Sequence, residues 1–190
     1  MLRRCEWCGS HPLYLQYHDT EWGVPEHRPE VLFERLVLEG MQAGLSWWTV
    51  LQKRAYMQTV FFDFKPAVLA ETSDEMVDAW LQDAGIIRHR GKLVAMIGNA
   101  RAFLHITDFS DFIWDVVDGR PLENMFDRRA HVPLHTEQSV QLAKKLTKAG
   151  FRFVGPTTAY AFMQSAGLVN DHMVYCHRHE ACRFLGVVRR

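Results

Sequence analysis

Apolar residues along this chain recur at three- and four-residue spacing far more often than in alternation, the pattern of helices that each turn one stripe toward a core. Pro29 suits the first turn of a helix predicted to run to about Gln42, with Leu32, Leu36 and Glu39 at i, i+4 and i+7, so a carboxylate lies in line with core residues. Ser46 offers a cap for a helix that opens on Trp47 and Trp48 and carries Val50, Leu51, Met57 and Phe61. Ser73 caps another, with Met76, Val77, Trp80 and Leu81 inward and Gly85 placed to end it. Gly91 or Lys92 opens the next, where Leu93, Ile97, Ala100 and Leu104 repeat, and a shorter helix is predicted from Asp108 to Val117. From Gly119 to His135 the periodicity stops, leaving a loop with Pro121 and Pro133 that is long enough to suggest a functional or mobile segment. Thr136 to Ala149 and Thr157 to Ala166 then read as two helices joined by the turn from Gly150 to Pro156, with Gly167 closing the second. Strand signals are nearly absent, so the expectation is an all-α fold: a single domain over 1–190, one compact unit or two intimately packed helical lobes.

Composition narrows the class. With 48% hydrophobic and 23% charged residues the chain can offset the entropy of ordering, which excludes wholesale disorder. The 22 basic and 22 acidic residues cancel, which argues against a uniformly basic polyanion binder. Their distribution is uneven. No acid lies between Ala84 and Thr107, a stretch with Arg88, Arg90, Lys92 and Arg101, or between Gln138 and Asn170, a stretch with Lys144, Lys145, Lys148 and Arg152. Acids gather early, at Asp19, Glu21, Glu26, Glu30, Glu34 and Glu39, so the runs are either solvated helix faces or a phosphate-facing side opposite an acidic one. The basic start of the chain is followed by no apolar stretch, and the charge-free run from Phe153 to Asn170 is broken by Gly155, Pro156, Gln164 and Ser165, so a cytoplasmic protein without membrane contact is expected. In that reducing compartment the four cysteines should be buried thiols or metal ligands.

Two groups carry candidate chemistry. His172 and Cys176 are spaced i and i+4, so on a helix both would leave one face and could share an ion, and with Cys5 and His18 they would make a Cys2His2 set with a tetrahedral preference for zinc. Cys8, His177, His179 and Cys182 are alternatives, and spacing does not choose among them or exclude core histidines with idle thiols. Trp7, Tyr14, Tyr17, Trp22, Trp47 and Trp48 crowd into the quarter of the chain that also holds Glu39. Such rings are core in most proteins, but rings around one buried carboxylate would also favour a cationic flat ligand. The helix, turn, helix segment can present free backbone N–H groups to a phosphate, or serve packing alone.

These segments resemble the bacterial 3-methyladenine DNA glycosylase I family nearly from end to end. The matching stretches include Arg4-Cys5-Glu6-Trp7, Tyr17-His18-Asp19, Glu21-Trp22-Gly23-Val24-Pro25, Leu38-Glu39-Gly40, Gln42-Ala43-Gly44-Leu45-Ser46-Trp47, Phe153-Val154-Gly155 and Gly167-Leu168-Val169-Asn170-Asp171-His172. The resemblance implies a helix-hairpin-helix DNA glycosylase fold whose N- and C-terminal segments are joined by one structural zinc on Cys5, His18, His172 and Cys176. It implies excision of 3-methyladenine from double-stranded alkylated DNA by a monofunctional enzyme, a monomer without obligate protein partner. Glu39 matches the carboxylate that reads the base, the pocket's lone negative group, and Tyr17 and Trp47 match its stacking rings, with Trp7, Tyr14 and Trp22 lining the same pocket. The hairpin at about 137–166, with Gly155, Thr157 and Thr158, matches the DNA-gripping element. In many related glycosylases an aspartate near the end of this unit stabilises the sugar cation, and the resemblance aligns that place with Asn170. His11 stands where the family typically has aspartate, Cys8 adds a thiol beside the first ligand, and the His- and Arg-rich tail after Cys176 is unlike the family.

Overall fold

A computed structural model describes residues 2–187; residue 1 and residues 188–190, the ends of the 1–190 span expected above, lie outside the described residues. The helices are α1 (Pro12–Thr20), α2 (Pro29–Gln42), α3 (Trp47–Val60), α4 (Pro66–Ala70), α5 (Asp74–Trp80), α6 (Arg90–Leu104), α7 (Phe109–Trp114), α8 (Glu137–Lys148), α9 (Pro156–Ala166) and α10 (His177–Val187). The mostly helical architecture is as expected. Among the described residues, strand is confined to β1 (Leu122–Glu123) and β2 (Val169–Asn170), a parallel pair with Leu122 opposite Val169. No helix among them is long and apolar enough to cross a membrane.

The core is organised around α2. Its periodicity predicts one buried stripe, yet every residue from Leu32 to Met41 is buried, because α3, α6, α7 and α9 surround it. Charged residues on such a helix must be paired. Arg54 of α3 donates to Glu34 (2.9 Å) and to Glu21 at the end of α1 (2.6 Å), while Arg35 donates to the carbonyl of Ser165 in α9 (2.6 Å) and lies 3.8 Å from Glu26. Asp19 and Glu26 are held by Arg4 and Arg28. The early acids are therefore spent largely on internal ion pairs and do not form one acidic face. Some of the basic runs are internal too: Lys92 is buried and caps the C-terminal end of α2 through the carbonyls of Met41 (2.9 Å) and Ala43 (2.5 Å), and Lys145 pairs with Asp115 (2.7 Å).

Boundaries moved where side chains compete for backbone groups. The helix expected from Ser73 to Gly85 stops at Trp80, and the Asp83 carboxylate takes the Gly85 N–H (2.7 Å) in a turn. α1 goes unread by periodicity because its rings point several ways; its start is nonetheless written in His11-Pro12, where the imidazole accepts from Leu13 N–H (3.2 Å) and proline takes the first turn. Helix α10 and the two short strands are also absent from the sequence pattern. β1 lies inside the 119–135 loop and anchors that loop beside the end of α9.

Gly167 ends α9 at φ 74°, and a Cβ there would fall on the backbone of Val24 and Pro25. Gly167→Ala is expected to destabilise the protein by at least about 2 kcal/mol in denaturant unfolding, from the left-handed conformation and the clash together. A loss below about 0.5 kcal/mol would show that the Val24 chain yields.

Candidate functional site

A cavity of about 350 Å³ lies between α1, α2, the start of α3, α9 and the 119–135 loop. Trp7, Tyr14, Tyr17, Trp22, Glu39 and Trp47 all line it. Trp7 meets Trp22 edge-on at 4.9 Å and Tyr14 at 5.4 Å, and Tyr17 meets Trp47 at 5.2 Å. Trp48 is not on the wall. It stacks behind Tyr14 at 5.5 Å and has the His11 ring 4.5 Å away, so His11 both caps α1 and braces the tryptophan that backs a cavity ring. The indole Nε1 of Trp47 is buried without a partner.

Glu39 projects from the buried helix α2 and is only 6% exposed. Burial pushes its carboxyl up to about 8, opposed by the Ser165 hydroxyl and the Arg35 charge, so it is largely protonated at neutral pH. Burial, and then the Glu39 charge, likewise push the Tyr17 hydroxyl well above its ordinary value.

Glu39 is not the cavity's lone acid. Asp171 also lines the wall, buried, with Oδ2 accepting from Tyr160 (2.6 Å) and Gln164 (2.7 Å) and Oδ1 from Asn124 (2.6 Å). Sequence reasoning passed over it in favour of Asn170, whose amide faces away to Glu123 (2.9 Å) and the His179 carbonyl (2.8 Å). The only sequence signal for Asp171 was its place beside His172. Arg129, Val132, Pro133 and Leu134 bring the 119–135 loop, the segment whose periodicity failed, onto the cavity. Thr157 reaches the cavity as well, whereas Gly155 and Thr158 do not line it; Gly155 precedes Pro156 at the exposed start of α9, where no side chain caps the helix.

Behind the ring wall, Cys5, His18, His172 and Cys176 converge, all four buried, with donor atoms within 4.8 Å of one another; His172 and Cys176 do not share a helix face as their spacing allowed, but lie in the turn between β2 and α10. Cys5 Sγ lies 3.6 Å from His172 Nδ1, and Cys176 Sγ lies 3.6 Å from the same atom and 3.5 Å from His18 Nε2. A tetrahedral ion with two sulfur and two nitrogen ligands sets S···N edges of about 3.6 Å, so the group could hold a metal ion. The second ring nitrogens are engaged as ligand histidines require: His18 Nδ1 at 2.8 Å from Asp19, itself clamped by Arg4, and His172 Nε2 at 3.0 Å from the Trp22 carbonyl. The Arg4 contact, followed by His18, holds the Asp19 carboxyl down at about 2. Hydrogen bonding from the Cys5 thiol, then from His172 and His18, depresses the Cys176 thiol, and the same Cys5–Cys176 contact raises Cys5. Cys8, His177, His179 and Cys182 fall outside the group; Cys8 donates to the Cys5 carbonyl (3.1 Å).

The backbone matches a crystal structure of 3-methyladenine DNA glycosylase I with a TM-score of 0.92 at 49% identity, covering 93% of this chain and 100% of that one, so the fold is that of a helical DNA glycosylase. The chain belongs to the methyladenine glycosylase family, whose profile matches residues 7–179. It is 49% identical over 179 residues to DNA-3-methyladenine glycosylase 1 of Escherichia coli (strain K12), covering 92% of this chain and 96% of that protein. It is 33% identical, with a TM-score of 0.89, to a 3-methyladenine DNA glycosylase I from Staphylococcus aureus whose structure addresses 3-methyladenine recognition, over 94% of this chain and 97% of that one. The family profile ends at His179, three residues after Cys176.

The folded value of Glu39, about 8, exceeds the ordinary 4.5, so the native protein keeps a proton that the unfolded chain releases between those values. Stability from this group is fully present below about pH 4.5 and is lost as pH rises toward about 8. Thermal unfolding of the wild type and Glu39→Gln should therefore show the variant gaining on the wild type through that window and no further above it. Parallel curves would place the titration elsewhere.

Proposed function

We propose that this protein is a monofunctional DNA glycosylase that flips 3-methyladenine out of alkylated double-stranded DNA and hydrolyses its N-glycosidic bond, the opening step of base excision repair. The observation that carries the reading is one buried carboxyl, Glu39, set among Trp7, Tyr14, Tyr17, Trp22 and Trp47 in a single cavity. Adenine methylated at N3 is cationic, and its glycosidic bond breaks to give a neutral leaving group, so modest assistance suffices. The cavity supplies electron-rich ring faces and two acids, Glu39 and Asp171, and so prefers the charged purine over its neutral parent. Glu39 reads the base amine and selects charge; it abstracts no proton from the reacting bond. Because its carboxyl is near-neutral until a cation arrives, the protein avoids burying a bare charge. A damaged base pairs poorly, which lowers the cost of flipping it.

The hairpin from α8 to α9 acts as the DNA-gripping helix-hairpin-helix element, with Gly155 and the backbone N–H groups of Thr157 and Thr158 at the start of α9 turned toward a phosphate. The Cys2His2 group is a structural zinc site on Cys5, His18, His172 and Cys176: zinc would cross-link the two ends of the chain, and four protein ligands leave no position for catalysis. Residues 1–190 work as a single domain, a cytoplasmic monomer. Among the described residues no lysine lines the cavity, which supports hydrolysis by water over a Schiff-base route.

Chromatography of bases freed from methylated duplex DNA is expected to show 3-methyladenine with intact strands; a borohydride-trapped protein–DNA adduct would refute the monofunctional assignment. Glu39→Gln should lower kcat/KM by about tenfold to a hundredfold, the worth of a charged hydrogen bond, and unchanged kinetics would remove Glu39 from recognition. Cys176→Ala should lose bound zinc and cost several kcal/mol of stability; full metal content after that change would refute the ligand set.

A further inference from the structure

Arg129 opens a 3-10 turn (Arg129–His131) in the 119–135 loop and is an exposed side chain lining the cavity. Its basic neighbours are engaged by Asp127, His131 at 2.8 Å and Arg128 at 3.5 Å. The Arg129 guanidinium, by contrast, makes no hydrogen bond or ion pair among the described residues. Its charge reaches the cavity all the same: burial raises the Tyr14 hydroxyl, and Arg129 is the influence that opposes it.

An unpaired cation at this place works against the rest of the cavity. Asp171, the ring faces and, once it ionises, Glu39 favour positive charge inside, whereas Arg129 repels a cationic base on its way in. The conflict disappears if an anion sits beside the guanidinium whenever the base is inside. DNA brings one: each nucleotide carries a phosphate, and a base that enters from outside leaves its phosphodiester at the mouth. Thr157, at the start of α9, lines the same cavity, so that phosphate would meet Arg129 on one side and the helix start on the other.

We propose that Arg129 is the phosphate-contacting residue of the cavity mouth, holding the backbone of the everted nucleotide through its guanidinium fork and cancelling its own repulsion of the base. The proposal rests on the glycosylase reading. It makes the 119–135 loop a reader of the DNA backbone, and it assigns Arg129 to binding of the strand and not of the base.

The test compares wild type, Arg129→Ala, Arg129→Lys and Arg128→Ala in two measurements: affinity for a duplex with one abasic-site analogue across a salt series, and affinity for free 3-methyladenine. Arg129→Ala is expected to weaken duplex binding about tenfold at low salt and to reduce the salt slope by about 0.9, the signature of one lost phosphate contact. Free-base affinity should hold or rise, Arg129→Lys should keep the slope, and Arg128→Ala should change it by less. An unchanged slope in Arg129→Ala, an equal change in Arg128→Ala, or free-base affinity that falls in step with duplex affinity would each overturn the assignment. Base release by the wild type judges the glycosylase reading separately: absence of release with a lost salt slope would end that reading and leave Arg129 on the phosphate.

Discussion

Four donor atoms, on Cys5, His18, His172 and Cys176, must meet in a buried place, and much of the cavity follows from their meeting. Cys5 stands two residues before Trp7, His18 follows Tyr17, and His172 lies between Asp171 and Met173, so each segment that brings a donor inward also sets a cavity side chain on the opposite side. The contacts run through the wall: the Trp7 ring lies 5.3 Å from His18, and the Trp22 ring meets His172 at 4.7 Å while its carbonyl binds the same imidazole. Chain ends far apart in sequence are thereby held in register with α2. A change at the cluster is felt at the rings because they share backbone, with no need for a separate path.

The opposing element is the acid on α2. A carboxyl in the last turn of a helix buried on every side is costly, and the structure treats its two cavity acids differently. Asp171 is satisfied by three donors, Tyr160, Gln164 and Asn124, and so fixes the positions of two further wall residues. Glu39 is left with little beyond Ser165 and the Arg35 charge, which is why burial dominates its ionisation. One acid builds the wall through its hydrogen bonds, and the other is buried on it with its ionisation governed by desolvation. Arg35 and Arg54 are spent on Glu26, Glu21, Glu34 and the Ser165 carbonyl, so the helices that carry the cavity are locked by pairs, and Arg35 opposes the burial of Glu39 only through its charge.

Local signals proved most legible where one residue dictates its own backbone. Pro29, Ser46, Thr136 and Gly167 placed helix ends because a fixed φ, a capping hydroxyl or a left-handed turn acts within a few residues; Ser46 accepts from Thr49 N–H at 3.1 Å and Thr136 from Ser139 N–H at 3.3 Å. Periodicity failed for α1, whose rings serve a cavity on one side and the cysteine and histidine cluster on the other, and for the end of α5, where Asp83 outcompetes the helix. It also failed for the 119–135 loop, which is held by a short strand pair and by its place on the cavity, neither of which leaves a repeat in the sequence.

By itself, the sequence determined the helical class and most helix starts, and through its resemblance to a known family it marked six wall residues and four sulfur and nitrogen donors, which residue type and spacing alone left among several candidates. Only the tertiary structure decided how they divide the work. It buried α2 on all sides, turned Asn170 away and Asp171 inward, excluded Cys8 from the donor group, moved Trp48 behind the wall and brought Arg129 to the mouth. Each of these depends on contacts between segments far apart in the chain, and burial, desolvation and the direction of a side chain have no local code.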